Sequence, residues 1–381
     1  MYLRLRSVTF SKKSKNEITR RLSGVEVLVI IRNFRVVNSD EKYMLRALQL
    51  AKLGGTATKS NPLVGAVIVR NNEIIGEGYH QKYGEAHAEV NAVNAVKDKS
   101  VLQEATIYVT LEPCSHFGKT PPCADLLVKH QFKRVVIAQI DPFSEVSGRG
   151  IEKLRDAGIL VDCGVLEEEA KELNKRFITF HTKNRPYITL KWAQTKDGFI
   201  DRDRSSGSET GINWISQPET QVITHQIRST EQAILVGWRT IQNDNPSLTT
   251  RAFTGENPLR IVIDPQLKAP KEAAVFTDGN PTFVFNLLKE EETGAVRYFK
   301  GKDMAPQSIV EALFQLNIQS VLIEGGANTL SRFIEAGLWD EALVITGKNV
   351  FKNGLKAPVI SKIPAKSVGF GKDRLDYFRN I

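Results

Sequence analysis

The stretches His87-Ala88-Glu89, Glu112-Pro113-Cys114 and Pro122-Cys123 contain the residue types that hold a catalytic zinc ion. One imidazole and two thiolates supply three ligands and leave the fourth tetrahedral position open, as in catalytic zinc sites. Zinc lowers the pKa of a bound water to about 7, and a nearby carboxylate can carry that water's proton to a leaving amine. The pattern therefore predicts His87, Cys114 and Cys123 as zinc ligands and Glu89 as the proton shuttle. A chance cluster is the alternative, but the two prolines and the flanking strand pattern argue against it.

The residues around these stretches alternate between strand and helix patterns, which predicts a layered α/β sheet. Asn71-Asn72 is a hairpin turn pair. Three ligands at strand-to-helix junctions would lie at helix N-termini, where the dipole favours thiolate over thiol. The predicted elements are a helix through Met44, Ala47, Leu48 and Ala51 that ends at Gly54-Gly55, strands Leu63–Val69 and Glu73–Tyr79, a helix from His87, strand Thr106–Thr110, helix Cys123–His130, strand Arg134–Ile140, helix Gly150–Ala157, strand Leu160–Cys163 and helix Leu166–His181.

Length and composition predict a globular protein of two domains. The chain has 381 residues, which is long for one core, with 41% hydrophobic and 25% charged residues. Two of its three cysteines are assigned to metal, so we expect a reducing compartment, a cytoplasmic location and a buried core thiol at Cys163.

The net charge of +9 is concentrated in residues 1–36, which hold nine basic and two acidic residues. The rest of the chain is therefore close to neutral, and we expect no nucleic-acid partner for the folded body. The apolar run Val25 to Ile31 is too short to span a membrane, so we expect no membrane partner either. Residues 1–36 are interpreted as a dispensable, disordered extension, with organelle targeting as the alternative.

The polar stretch Thr182 to Pro186 marks a domain boundary between residues 184 and 185. Beyond it, Glu324-Gly325-Gly326-Ala327-Asn328-Thr329 follows a strand and opens a helix, so its backbone N–H groups could bind phosphate. Gly237-Trp238-Arg239-Thr240 has the same setting, and Arg239 could pair with the extra ribose phosphate that distinguishes NADPH from NADH. A helix-capping loop and a solvated arginine are the respective alternatives. The other predicted elements are strand Pro186–Trp192, loop Asp197–Gly211, helix Pro218–Arg228, strands Ala233–Gly237, Leu259–Asp264 and Thr282–Asn286, helix Ile309–Leu316, and strands Ser320–Ile323, Asp340–Thr346 and Arg374–Phe378.

The first half resembles the zinc-dependent nucleobase deaminases, whose signature is H-x-E followed by P-C-x-x-C. Here eight residues separate the cysteines, and E-P-C-S-H-F-G-K-T-P-P-C resembles the pyrimidine deaminase branch of riboflavin biosynthesis. The segments K-W-A-Q-T-K-D-G, G-W-R-T-I-Q-N-D-N-P-S-L-T-T-R and V-L-I-E-G-G-A-N-T-L resemble the reductase half of the same bifunctional family. The resemblance covers residues 40–346 and implies an α/β fold: a cytidine-deaminase-like α/β/α layered domain (37–184) followed by a dihydrofolate-reductase-like α/β domain (185–381) that uses NADPH.

The resemblance also assigns binding residues. In the deaminase half, Asn61, His80 and Lys119 match positions at the pyrimidine or its phosphate. In the reductase half, Lys191 is near the presumed hydride path, and Asp244 and Glu324 lie where cofactor and substrate meet. The positions that match cofactor contacts are Ala193, Trp214, Thr240, Gly326, Ala327, Asn328 and Thr329. The positions that match substrate contacts are Arg228, Leu248 and Arg251, whose two arginines suit a ribityl phosphate.

The resemblance implies a bifunctional enzyme of riboflavin synthesis that forms a homo-oligomer and acts on phosphorylated pyrimidines. Its deaminase would hydrolyse 2,5-diamino-6-(5-phosphoribosylamino)pyrimidin-4(3H)-one, and its reductase would convert the ribosyl to a ribityl side chain. Two features depart from the family: Ile212 replaces a common serine, and the Asp197–Trp214 loop is longer. One alternative is a tRNA-adenosine type of deaminase, which C-x-x-C spacing would favour. The other is a metal-containing scaffold that has lost one activity.

Overall fold

The computed structural model describes residues 38–58, 61–117, 121–142, 147–204 and 210–380. The predicted N-terminal extension and Lys119 lie outside these residues. In the part of the chain that is described, each helix is too short or too polar to cross a lipid bilayer.

The first half is built on a five-stranded sheet, counted over the described residues, in the order β2-β1-β3-β4-β5. The β1–β2 and β1–β3 pairs are antiparallel, and β3, β4 and β5 are parallel. The elements are α1 (Ser39–Ala51), β1 (Gly65–Arg70), β2 (Glu73–Tyr79), α2 (Ala88–Ala95), β3 (Thr106–Leu111), α3 (Cys123–Lys129), β4 (Arg134–Gln139), α4 (Arg149–Asp156) and β5 (Leu160–Cys163), with 3-10 helices at Lys52–Thr58 and Lys99–Glu104.

Apolar residues cover both faces of this sheet because successive side chains of a strand point to opposite sides. Ala66 and Ile68 of β1 pack with α2, α3 and α4. Val67 and Val69 pack with α1 and with the helix that follows β5. This arrangement confirms the predicted α/β/α layers. The predicted hairpin is also present, because Asn71 and Asn72 both have positive φ (51° and 63°).

The second half is built on a ten-stranded sheet, again counted over the described residues, in the order β11-β12-β10-β9-β8-β13-β6-β14-β17-β16. Its centre is parallel, and antiparallel pairs close both ends. Helices α5 (Glu167–Leu173) and α6 (Lys175–Lys183) precede this half. Its elements are β6 (Tyr187–Gln194), β7 (Phe199–Asp201), α7 (Pro218–Thr230), β8 (Ala233–Gly237), α8 (Trp238–Asp244), β9 (Leu259–Ile263), α9 (Ala274–Thr277), β10 (Thr282–Asn286), β11 (Glu291–Thr293), β12 (Val296–Lys300), α10 (Pro306–Gln315), β13 (Ser320–Ile323), α11 (Ala327–Glu335), β14 (Glu341–Thr346), β15 (Leu355–Lys356), β16 (Lys366–Phe370) and β17 (Asp373–Arg379). The predicted domain boundary falls between α6 and β6.

Two predictions about the region before this boundary were wrong. The single helix expected over Leu166–His181 is two helices, α5 and α6, which meet at Asn174. The Asn174 side chain accepts a hydrogen bond from the Leu63 N–H (2.8 Å) and donates one to the Leu63 carbonyl (3.0 Å), which fixes the break to the first half. Cys163 is exposed and not a core thiol, because β5 is an edge strand of its sheet.

Ion pairs between α5–α6 and the second sheet fix the two halves relative to each other. The Lys175 ammonium contacts Glu341 (2.8 Å), and Arg379 contacts Glu172 (3.2 Å). Arg176 forms two hydrogen bonds with Glu231, which is 2% exposed. Burial by itself would raise the pKa of Glu231, but the charge and hydrogen bonds of Arg176 outweigh it and hold that pKa below its usual range. The buried carboxylate therefore depends on Arg176.

The Arg176–Glu231 pair predicts a large cost for removing one partner. Glu231→Gln leaves the Arg176 guanidinium without its counter-charge, so we expect a loss of about 1.5–3 kcal/mol in the free energy of unfolding, measured in urea. Glu168→Gln is the matched control, because Glu168 is exposed and, among the described residues, pairs with Lys171 at the surface. That control should change stability by less than about 0.5 kcal/mol. Equal effects of the two substitutions would contradict the role given to the buried pair.

Candidate functional site

Three donor atoms meet at one point in the first half. His87 precedes the first turn of α2, Cys114 follows β3, and Cys123 is the first residue of α3. The His87 Nδ1 atom lies 3.3 Å from the Cys123 sulfur and 3.6 Å from the Cys114 sulfur. All three donor atoms lie within 4.8 Å of one another. One nitrogen and two sulfurs at this spacing fit a zinc ion.

The prediction that all three ligands lie at helix N-termini is wrong for Cys114. This residue lies in the loop between β3 and α3. Its sulfur nevertheless reaches the start of α3, where it accepts a hydrogen bond from the Cys123 N–H (3.3 Å). The Cys114 carbonyl accepts another from the Ala124 N–H (3.1 Å). The loop thus folds back onto the helix start and brings the two sulfurs together.

Glu112 organises this loop and was not predicted. Its buried carboxylate accepts four backbone hydrogen bonds, from the N–H groups of Asp141, Gly148, Gly150 and Ile151. Glu112 lies two residues before Cys114. Its bonds tie the end of β3 to the segment after β4 and to the start of α4. The available signal was an acidic residue at a strand end, but the partners are far away in sequence.

The ionisable groups at this site are strongly perturbed. Glu89 lies in the first turn of α2 and is 3% exposed. Burial raises the pKa of its carboxyl to about 7, and negative charge on Cys114 adds to this effect. Hydrogen bonds with Cys123 and with His87 lower the pKa of the Cys114 thiol. The same Cys114–Cys123 contact, together with burial, raises the pKa of the Cys123 thiol. One thiolate is therefore favoured at neutral pH.

Two of the three residues predicted at the pyrimidine lie beside the zinc donors. The Asn61 amide nitrogen donates to His80 Nε2 (3.0 Å), and His80 Nδ1 donates to the Ala86 carbonyl (3.2 Å). Burial lowers the pKa of His80, so its ring is neutral. Its edge meets the His87 ring with 5.5 Å between centroids. Lys119, the third, lies outside the described residues.

The candidate site of the other half is a cavity of about 520 Å³ at the C-terminal ends of β8 and β13. Gly326 starts α11 with a φ of 59°, which favours glycine. A Cβ on the preceding Gly325 would lie 2.5 Å from the Val236 Cβ, so only glycine permits this approach of the two strand ends. The predicted cofactor and substrate residues that line the cavity are Thr240, Asp244, Glu324, Gly326, Ala327, Asn328 and Thr329. Arg239 and Ile212 line it as well.

Ala193 and Trp214 are not among the described residues that line this cavity. Ala193 packs against Ile345 and Leu375 in a small core cluster. Trp214 is 56% exposed, and its carbonyl accepts a hydrogen bond from the Asn349 amide (3.3 Å). Their assignment to the cofactor stays a prediction.

Asp201 lines the cavity and Arg204 is bonded to it, and sequence reasoning missed both residues. The Arg204 guanidinium donates to both oxygens of Asp201 (2.6 and 3.1 Å) and to Asp244 (3.2 Å). Burial raises the pKa of Asp244 to about 6, although the positive charge of Arg204 opposes this. The contact joins the longer Asp197–Trp214 loop, one of the two departures from the family, to a predicted site residue.

Arg228 is largely buried, with 11% of its side chain exposed, and is bonded within the chain. Its guanidinium donates to both oxygens of Glu324 (2.8 and 2.7 Å) and to the Thr249 carbonyl (3.1 Å). The Lys191 ammonium lies 3.9 Å from Glu324. Burial by itself would raise the pKa of Glu324, but the positive charges of Arg228 and Lys191 outweigh it and hold the pKa at about 2. Glu324 is thus a fixed carboxylate at the cavity wall.

Arg251 differs from Arg228 because it is exposed. Its guanidinium donates to the hydroxyls of Ser247 and Thr249, and its backbone N–H donates to His225 Nδ1 (3.1 Å). It forms no ion pair with an acidic residue in the described part of the chain. The neighbouring Leu248 has a φ of 56°, and its side chain is buried in a core cluster. Of the two predicted phosphate-binding arginines, Arg251 is therefore the accessible one.

Comparison with known proteins gives the same two parts. The family described as the cytidine and deoxycytidylate deaminase zinc-binding region matches residues 37–139, and the RibD C-terminal domain matches residues 186–347. The chain is similar to the riboflavin biosynthesis protein RibD of Aquifex aeolicus, with 44% identity over 83% of this chain and 89% of that protein. It is similar to RibD of Escherichia coli with 38% identity over 80% of this chain and 86% of that protein.

Solved structures agree with these relatives. The fold matches a diaminohydroxyphosphoribosylaminopyrimidine deaminase/5-amino-6-(5-phosphoribosylamino)uracil reductase from Thermotoga maritima with a TM-score of 0.80 and 38% identity. That match covers 90% of this chain and 98% of the other. RibD of Acinetobacter baumannii gives the same TM-score and coverage at 30% identity.

The donor geometry predicts how zinc content responds to substitution. We expect about one zinc per chain in the unaltered protein, measured by mass spectrometry of the metal. Cys114→Ser and Cys123→Ser each remove a soft ligand, so zinc affinity should fall by more than the roughly 10–100-fold that an outer-shell change costs. Cys163→Ser is the matched control and should keep full zinc content, because Cys163 lies at an exposed sheet edge. Normal zinc content in both ligand variants would rule out this site.

Proposed function

The chain belongs to the RibD family of riboflavin biosynthesis proteins, and from this premise we propose the substrates and residue roles of its two reactions. The protein is a bifunctional enzyme with a zinc-dependent deaminase and an NADPH-dependent reductase. We assign to its first site the hydrolytic deamination of 2,5-diamino-6-(5-phosphoribosylamino)pyrimidin-4(3H)-one. The second site then reduces the ribosyl group of the product to ribityl. The observation that carries the proposal is the meeting of His87, Cys114 and Cys123 in a chain that also carries the reductase cavity.

At the deaminase site, His87, Cys114 and Cys123 would hold the metal. Zinc, when bound, is a Lewis acid that makes water nucleophilic at neutral pH. Glu89 takes the proton from the attacking water on a carboxylate oxygen and delivers it to the leaving amine nitrogen. Its burial keeps bulk solvent from the transferred proton and raises the pKa of its carboxyl, which favours a group that both accepts and donates a proton. A carbon–oxygen bond to the water oxygen forms, the bond between the ring carbon and its exocyclic amine breaks, and ammonia leaves.

Asn61 and His80 orient the pyrimidine in this proposal. Asn61 is fixed by its hydrogen bond to His80, and His80 is fixed in turn by the Ala86 carbonyl. A neutral His80 adds no positive charge next to the zinc ligands. The Asn61 carbonyl oxygen is left to accept a hydrogen bond from a ring N–H or amine. Lys119 remains the predicted contact for the phosphate.

At the reductase site, NADPH supplies the hydride when it is bound. The start of α11, from Gly326 to Thr329, offers backbone N–H groups to the cofactor phosphates. Arg239 lines the cavity at the start of α8 and stacks over the Trp238 ring with 5.1 Å to its centroid. It has no acidic partner in the described part of the chain, so its charge is available for the extra phosphate of NADPH.

Arg251 and Arg228 take different roles in the proposal. Arg251 binds the ribityl phosphate, because it is exposed and its guanidinium contacts only hydroxyls. Arg228 is a positioning residue that holds Glu324 at the cavity wall. Lys191, 3.9 Å from the same carboxylate, completes a buried group of charges near the predicted hydride path.

Two further predictions concern location and assembly. A zinc site with two cysteine ligands needs reduced thiols, which supports a reducing compartment such as the cytoplasm. A homo-oligomer is supported by exposed apolar side chains near the end of the second sheet, such as Ile363 (92% exposed) and Val359 (76% exposed).

Replacement of the proton shuttle tests the deaminase mechanism. Glu89→Gln should keep zinc, because the ligands are unchanged, while ammonia release falls by about 10²–10⁴-fold. NADPH oxidation with the deaminated substrate should stay normal in the same preparation, which provides an internal control for folding. Near-normal ammonia release would remove Glu89 from the mechanism.

We expect Arg239 to determine the preference of the reductase for NADPH over NADH. Arg239→Ala should lower the preference for NADPH over NADH by about 10–100-fold, since a hydrogen bond between charged groups contributes about 1.5–3 kcal/mol. The measurement is kcat/KM for each cofactor with the deaminated substrate. Arg297→Ala is the matched control, because Arg297 is also exposed and stacks on a ring, that of Phe299 (4.5 Å), on the distant strand β12. An unchanged preference in Arg239→Ala would exclude this contact.

A further inference from the structure

His225 is a buried residue of the reductase half that has no part in the mechanism described so far. It lies on α7, about one helical turn before Arg228, and is 6% exposed. Its Nδ1 atom accepts a hydrogen bond from the backbone N–H of Arg251 (3.1 Å). The imidazole therefore contacts the residue whose guanidinium is the accessible cation of the proposed phosphate site.

We propose that His225 is a positioning residue of the reductase, which holds the backbone of Arg251 so that the guanidinium can bind the phosphate of the substrate. The inference rests on the proposed function, because it needs Arg251 to be the phosphate contact. His225 acts through residues 247–251, which we call the substrate loop. Its effect is on the affinity for the phosphorylated pyrimidine and not on hydride transfer.

Side chains hold the substrate loop, because the loop belongs to neither a helix nor a strand. The Thr249 carbonyl accepts a hydrogen bond from the Arg228 guanidinium (3.1 Å), and the Thr250 N–H donates to the Asn257 side chain (2.8 Å). Together with the bond to His225, three consecutive residues of the loop have a backbone group bonded to a side chain. Two of these three side chains belong to α7, so this helix fixes the loop.

The other end of the substrate loop is anchored at Leu248. This residue has a φ of 56°, and its side chain is buried in a core cluster. Such a backbone conformation is unfavourable for a residue with a side chain and persists where the surroundings hold it. Between this anchor and His225, the Arg251 guanidinium donates to the hydroxyls of Ser247 and Thr249. The loop thus presents its cation in one defined arrangement.

The hydrogen bond with Arg251 determines which nitrogen of the His225 ring is protonated. A backbone N–H is always a donor, so Nδ1 is the unprotonated nitrogen and the neutral ring has its proton on Nε2. Within the described residues Nε2 has no hydrogen-bond partner, yet it is not one of the polar atoms that are sealed from solvent without one. A charged ring would have protons on both nitrogens, and Nδ1 could no longer accept a bond from Arg251.

The surroundings of His225 keep its ring neutral. Burial lowers the pKa of the ring, and the positive charges of Arg228 on the same helix, of Arg251 and of Lys191 on β6 lower it further. The Glu324 carboxylate, which follows β13, has the opposite effect on the pKa. Among the described residues, three cations and one anion thus act on the ring, and they favour the form that can hold Arg251.

Kinetics of the full-length enzyme test this role. His225→Leu removes the acceptor, so we expect KM for the deaminated pyrimidine to rise roughly three- to tenfold, the effect of one lost hydrogen bond, while kcat stays within about twofold. The inhibition constant of ribose 5-phosphate, measured against the pyrimidine at saturating NADPH, should rise by the same factor. His130→Leu is the matched control and should change neither value, because His130 is also partly buried but follows α3 in the deaminase half.

Two conservative variants separate a specific hydrogen bond from packing, and they cover the case in which His225→Leu fails to fold. The Oδ1 atom of asparagine is as many bonds from the backbone as the Nδ1 atom of histidine, so His225→Asn should keep KM within about twofold of normal. His225→Gln has the same amide one carbon further out and should resemble His225→Leu. Equal KM values for the Asn and Gln variants would overturn the inference.

The tautomer of the ring is an independent readout that packing alone does not determine. The chain has six histidines, so nitrogen-15 labelling of histidine gives a spectrum in which His225 is identified by the signals lost in His225→Asn. We expect the neutral ring with its proton on Nε2, and we expect it to persist as the pH falls through about 6.5, the ordinary pKa of histidine. A proton on Nδ1 at neutral pH would overturn the inference.

Arg251→Ala separates this inference from the proposed function. That variant should raise KM by about 10–100-fold, because it removes a charged contact with the phosphate. If Arg251→Ala leaves KM unchanged, the proposed phosphate contact is wrong and the role of His225 is excluded with it. If Arg251→Ala raises KM and His225→Leu does not, the proposed function stands and only the inference about His225 is overturned.

Discussion

The close approach of two cysteine sulfurs and an imidazole, beside a buried carboxylate, is the constraint on which the deaminase half depends. Negative groups at such distances in a buried site repel one another unless a cation balances them. Hydrogen bonds hold these groups together despite the repulsion. The Cys123 N–H donates to the Cys114 sulfur, and the Glu112 carboxylate accepts from four backbone N–H groups. A divalent metal is the group that such a site is built to receive.

The sequence predicted the local structure well where the apolar residues follow one spacing, that of a helix or that of a strand. The strands at 160–163, 233–237, 282–286 and 320–323 have the predicted bounds, and the helices around them deviate by only a few residues. Short edge elements were missed, such as β11 and β16, because they bury too little apolar surface to show a pattern. The break at Asn174 was also missed. Its cause is a side-chain contact with Leu63, and no local signal reports a partner that distant in the chain.

The site residues also divide into those that the sequence could predict and those that depend on contacts distant in the chain. Zinc ligands were predictable because their chemistry is restrictive and their spacing is specific. The loop Gly326–Thr329 was predictable because glycine marks an unusual backbone. By contrast, Arg228 and Arg251 look alike in sequence, and only burial distinguishes the one that is bonded to Glu324 from the exposed one. Arg204 and Asp201 were missed because their partnership with Asp244 depends on how the longer loop folds.

The strand order has a consequence for how the chain acquires its structure during synthesis. Strand β6, the first of the ten-stranded sheet, pairs with β13 and β14, which are made more than a hundred residues later. The five strands of the other sheet are, by comparison, close together in sequence. Low contact order favours fast formation, and domains fold largely as units while the ribosome is still working. The amino-terminal half can thus acquire its metal while the emerging β6 still awaits its neighbours.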